Sequence, residues 1–137
     1  MRQKIMLAIG QEGCYFLSLV YLAEKITGRR IDAVAWYEEA TKMGWMLANC
    51  YLLHPDILLG KMTGKRYNVK HASAGYLPKE GELLIARYER QKINNLMAHF
   101  VVQNTENPLA YEYDPMGESE TVRHGQIVSY RVFKEIV

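Results

Sequence analysis

Three residues of this chain have the types and the order that nucleophilic amide chemistry needs. Cys14 opens a long apolar run, GCYFLSLVYLAE, directly after the glycine-bearing segment GQEG. His99 lies in MAHFVVQ and Asp114 in AYEYDP, two stretches that read as neighbouring strands. The thiolate is the nucleophile, and a helix N-terminus or a nearby imidazolium lowers a cysteine's pKa from about 8.5. A carboxylate beside a histidine fixes its tautomer and stabilises the imidazolium. Taken singly, each residue is ordinary. Free cysteines are mostly interior, and an aspartate before Pro115 serves well as a turn cap. Their order, nucleophile then base then orienter, is what points to catalysis.

Such a trio needs a helix that begins at the cysteine and a hairpin that joins the other two. Residues 14–27, CYFLSLVYLAEKIT, are apolar nearly all round, which predicts a central helix closed by Gly28. A second helix is expected over 32–43 with Asp32 as N-cap and Gly44 at its end. Its inner face is Val34, Trp36, Tyr37 and Ala40. HPDILLGKMTG reads as a short helix with Pro55 in its first turn. Strands follow: YNVKHA, ELLIARY, MAHFVVQ, AYEYD and IVSYRVFKEI, all rich in β-branched and aromatic residues. Helices first and an antiparallel sheet after is an α+β pattern, and no linker or repeat divides residues 1–137 into more than one domain.

The hairpin carries the argument. Asn104, Asn107 and Pro108 are turn residues, and a loop at 105–108 sets His99 directly opposite Asp114. One face then holds His99, Val101, Gln103, Glu112 and Asp114. The other, with Phe100, Val102, Tyr111 and Tyr113, is expected to be the core side.

Composition limits the partners. The chain has 137 residues and 17 Lys and Arg against 15 Asp and Glu, a formal charge of +2. The basic residues are scattered, so nothing electrostatic favours nucleic acid. The N-terminal MRQKIMLAIG has only a five-residue apolar stretch, too short for a secretory signal, and no segment has the length to span a bilayer. A cytoplasmic protein with no membrane partner is expected. In that compartment a Cys14–Cys50 disulfide is disfavoured. A zinc site from Cys14, Cys50 and His54 lacks any C-x-x-C pair, so neither metal nor cofactor is expected.

GCYFLSLVYLAE resembles the nucleophile helix of the papain-like cysteine peptidase superfamily, and AHFVV with YEYDP resembles its histidine and acid strands. An aspartate as third member is similar to the bacteriocin leader peptidase and transglutaminase-like branches. The tail YDPMGESETVRHGQIVSYRVF also resembles small papain-like proteins of bacteria and their phages. The match covers about residues 10–27 and 97–133. It implies a papain-like α+β domain, a buried nucleophile helix packed on the sheet, and a Cys14–His99–Asp114 triad. Papain-like enzymes carry an oxyanion-hole glutamine about six residues before the cysteine. Here Ala8 holds that place, and Gln11 is the candidate to replace it.

The implied function is hydrolysis of a peptide or isopeptide amide, with a peptide or protein as partner. A cell-wall amidase and an acyl or amine transferase are enzymatic alternatives. A non-catalytic papain-like binding module is the alternative that the displaced glutamine favours. Cys50, with neither a glycine-bearing lead-in nor a long helix after it, is expected to lie far from Cys14. His54, His71 and His124 lack the setting of His99, and Trp36 and Trp45 read as packing residues.

Overall fold

The computed structural model describes residues 2–107 and 110–137, less the side chain of Gln11. They form two compact units, residues 1–67 with 136–137, and residues 68–135. The first is helical and the second is built on a sheet, so the α+β class expected from the sequence is the one formed.

The helical unit holds α1 (Arg2–Glu12), α2 (Cys14–Thr27), α3 (Ala33–Met43) and α4 (Pro55–Thr63). The last three end as their glycines require. Gly28, Gly44 and Gly64 all adopt the left-handed conformation (φ +68°, +78° and +75°), and each returns its N–H to a carbonyl of the last turn. At the other end of α3, Asp32 accepts from the N–H groups of Val34 and Ala35. Phe16, Leu19, Leu22 and Ala23 of α2 are buried, and α2 packs on α4 and α1. Each such Leu or Phe contributes about 1.5–3 kcal/mol relative to exposure. The first helix, α1, was not expected. Ile5 and Ile9, one turn apart, are its buried residues, while Met6 and Leu7 stay exposed. It meets α2 at a bend of 98°.

The second unit carries a five-stranded sheet in the order β1 (Tyr67–Ser73), β5 (Gln126–Glu135), β2 (Glu82–Lys92), β3 (Asn95–Gln103), β4 (Tyr111–Tyr113). The pairs β2–β5, β2–β3 and β3–β4 are antiparallel. A two-residue turn at Ile93–Asn94 joins β2 to β3, with Asn94 at φ +60°. A short helix, α5 (Glu120–His124), packs on β2 and β3. Its N-cap Ser119 accepts from Val122 N–H.

One expectation about the sheet is corrected here. The face of β2 and β3 that bears Leu84, Ala86, Tyr88 and Val101 forms a buried core with Tyr130 and Val132, and His99 and Gln103 lie on that same face. Val102 on the opposite face is buried as well, but Phe100 and Tyr113 are half-buried and Tyr111 is exposed. Simple alternation cannot choose the inner face when both faces bury residues.

Candidate functional site

His99 and Asp114 come together in the sheet unit. His99 Nε2 lies 2.6 Å from Asp114 Oδ1, with the two side chains 5% and 0% exposed. That is the length of a charge-assisted hydrogen bond. When Asp114 is ionised, Nε2 is the donor and the neutral ring carries its lone pair on Nδ1.

Local sequence explains where Asp114 sits. Asp-Pro-Met-Gly is turn chemistry: aspartate at the first position, proline at the second, glycine at the fourth. Gly117 N–H donates to the Asp114 carbonyl (2.8 Å), and Met116 N–H donates to Asp114 Oδ1 (2.9 Å). The aspartate thus caps a turn and holds the histidine with the same oxygen.

The register that brings them together is not the expected one. Val102 pairs with Tyr113 and Gln103 with Tyr111, with an irregularity between the two pairs. The cause is Asn104, whose side chain accepts from Glu106 and Asn107 N–H, while its own N–H donates to the Ala110 carbonyl. β3 ends at Gln103 and β4 spans Tyr111–Tyr113, so Asp114 falls just past the end of β4. Its carboxylate bridges to His99 from the turn rather than from a directly opposed position. Pro108, expected in this loop, lies outside the described residues.

Cys14 is in the helical unit, as the first residue of α2. It is half-buried and forms no disulfide. The N-cap is Gly13, which has no side chain to satisfy the first turn, and Leu17 N–H makes the opening bond to the Gly13 carbonyl. The unsatisfied N–H groups of a helix N-terminus favour negative charge. Gly13 is required at this corner, since a Cβ there would stand 2.3 Å from the Ile9 carbonyl oxygen. Gln11, the candidate oxyanion donor, belongs to α1, and its side chain is outside the described residues.

Cys50 belongs to the same helical unit as Cys14. It sits in a left-handed backbone position (φ +68°) in the loop after α3, where its N–H donates to the Leu47 carbonyl. Burial pushes its thiol up to about 11, and the charges of Glu12 and Cys14 push the same way.

Comparison with known proteins adds a family. A family model described as "Protein of unknown function, DUF261" matches residues 2–135. The chain belongs to the DUF261 family. No curated protein and no solved structure matches it significantly.

The other histidines of this DUF261 protein have different settings. His124 contacts Glu120 at 3.1 Å on the exposed side of α5, and His54 precedes α4 without a side-chain cap. His71 is held below the ordinary imidazole range by desolvation and then by Arg131. Among the described residues no group of three His, Cys, Asp or Glu side chains is placed to hold a metal. No single described helix is long and apolar enough to cross a membrane. Sequence reasoning missed Tyr88, which pairs with His99 across β2 and β3 and is 8% exposed. Its period-two spacing from Ala86 and Leu84 was the available signal.

Proposed function

We propose that this DUF261 protein is a papain-like cysteine hydrolase that cleaves a peptide or isopeptide amide in the cytoplasm. The observation that carries the reading is the buried His99–Asp114 hydrogen bond at 2.6 Å. A histidine so held has a defined tautomer and a stabilised imidazolium, the two properties a general base needs. Support from the helical unit is Cys14 itself, at the N-terminus of α2 where negative charge is favoured.

The chemistry follows. Cys14 Sγ, as thiolate, attacks the carbonyl carbon and forms a C–S bond, giving a tetrahedral oxyanion. Protonated His99 gives its proton to the leaving amine as the C–N bond breaks, leaving a thioester on Cys14. His99 then takes a proton from water, the hydroxide attacks the thioester, and the acid is released with Cys14 again a thiolate. Asp114 holds the ring throughout. The Cys14 N–H and the Gln11 side chain are the groups we assign to the oxyanion, where loss of one donor costs about 10²–10³ in rate.

A non-catalytic binding module is the second reading. Ala8, in the place of the usual glutamine, favours it. Electrophilic peptide probes separate the two. The hydrolase reading expects a covalent adduct on Cys14, absent in Cys14→Ala and undiminished in Cys50→Ala. Mass spectrometry that finds no adduct on Cys14, or equal adducts on both cysteines, favours the binding module.

A further inference from the structure

The helical unit holds a cleft that the proposed chemistry does not use. Its volume is about 500 Å³, a size suited to a small molecule, and its lining residues belong to that unit alone. Ile57, Gly60, Lys61 and Gly64 lie at i, i+3, i+4 and i+7 along α4 and its C-cap, so they share one face of the helix. Gly64 then turns the chain back in left-handed conformation, and the N–H groups of Gly64 and Lys65 both donate to the Gly60 carbonyl (2.8 and 3.1 Å). The returning backbone runs so close that a Cβ on Gly60 would stand 2.7 Å from the Lys65 carbonyl oxygen. Ile136 is tied alongside, its N–H donating to the Arg66 carbonyl at 2.8 Å. Backbone bonds thus frame the cleft.

Its walls combine two properties. Ile57 and Ile136 are large aliphatic residues left 39% and 38% exposed, and both line it. Lys61, Lys65 and Arg66 bring three positive charges against a single carboxylate, Asp56. Asp56 stands in the first turn of α4, where the helix N-terminus favours its charge. Lys61 and Arg66 are exposed, and neither forms an ion pair with a described residue. A bare inorganic anion would leave the isoleucines wet, and a neutral hydrocarbon would make no use of the cations. The complement of both is an anion that carries a hydrocarbon chain.

We infer that this cleft binds a carboxylate borne on an aliphatic chain: Lys61 and Arg66 meet the carboxylate, and Ile57 and Ile136 cover the chain. Free acyl carboxylates and the C-termini of peptides that end in an aliphatic residue share this chemistry. The site stands independently of the hydrolase reading.

The test is titration of the nitrogen-15-labelled full chain at low salt with octanoate and, separately, with N-acetyl-alanyl-leucine. Binding is followed through the amide shifts of Gly60, Gly64 and Arg66. At least one of the two probes is expected to move these amides saturably, and the tighter one identifies the source. From butanoate to octanoate, affinity should rise roughly two- to fourfold per methylene. Lys61→Gln combined with Arg66→Gln, both at exposed positions, should weaken the better probe about tenfold, and raising the salt concentration should weaken it too. Amides that neither probe moves overturn the inference. So does a flat chain-length series, or inorganic phosphate that binds as tightly as octanoate, since charge alone then suffices. Wild-type affinity in the double variant overturns it as well, because the cations then play no part.

Discussion

Cys14 and Cys50 belong to the same helical unit and meet opposite surroundings. Cys14 is half-buried at the start of α2, and a helix N-terminus favours negative charge. Cys50 is 3% exposed in a left-handed turn, and burial, Glu12 and Cys14 together keep it protonated up to about pH 11. A negative charge on Cys14 would itself raise Cys50, so a thiolate at one position disfavours one at the other. The two cysteines thus differ in backbone setting and burial rather than in residue type, and the proposed chemistry uses this asymmetry.

The largest effect that bears on the contrast is expected at Gly13. An added Cβ would meet the Ile9 carbonyl oxygen at 2.3 Å and its carbon at 2.9 Å, so the corner between α1 and α2 must open. Gly13→Ala should cost about 1–3 kcal/mol, as overpacking does, measured by urea denaturation of the full chain. It should also slow Cys14 alkylation while leaving Cys50 as it was. A stability within error of wild type would mean that the corner is not what fixes the setting of Cys14.

A smaller effect comes from Cys50. Its thiol holds its proton to about 11 when folded, against an ordinary 9.0. Between those values the unfolded chain binds fewer protons than the folded one, so stability falls as pH rises through that window and is intact below it. Up to about 2 kcal/mol should be lost between pH 9 and 11. Cys50→Ala should show a shallower decline over the same range. Parallel curves for the two proteins would remove the contrast from the Cys50 side.

What the sequence made legible, it did so through local physics. The ends of α2, α3 and α4 were readable because a glycine in left-handed conformation stops each one, and Asp32 and Pro55 mark two of the starts. The strands were readable from β-branched and aromatic runs. Two short or weakly patterned helices were missed. The first, α1, shows apolar residues on both its buried and exposed sides, and α5 is only five residues long. The hairpin register was missed because Asn104 sets the loop length through side-chain bonds that composition does not announce. At the candidate site, the union of His99 with Asp114 was readable although its geometry was not. The aspartate is delivered by a turn whose Asp-Pro-Met-Gly signature is plain in the sequence. That the Cys14 charge bears on Cys50 was not readable, since it depends on how the chain folds back after α3.

The proposed hydrolase function requires Cys14 and His99 to act together. It is tested most directly by alkylation with iodoacetamide between pH 5 and 10, quantified separately for each cysteine in wild type and His99→Ala. The account predicts that at pH 6 Cys14 reacts on the order of 10²-fold faster than Cys50, because a stabilised thiolate persists well below the free-cysteine pKa of about 8.5. In His99→Ala the advantage at pH 6 should vanish and the Cys14 profile should move to alkaline pH. A Cys14 profile that matches Cys50 in the wild type, or one that His99→Ala leaves in place, contradicts the account.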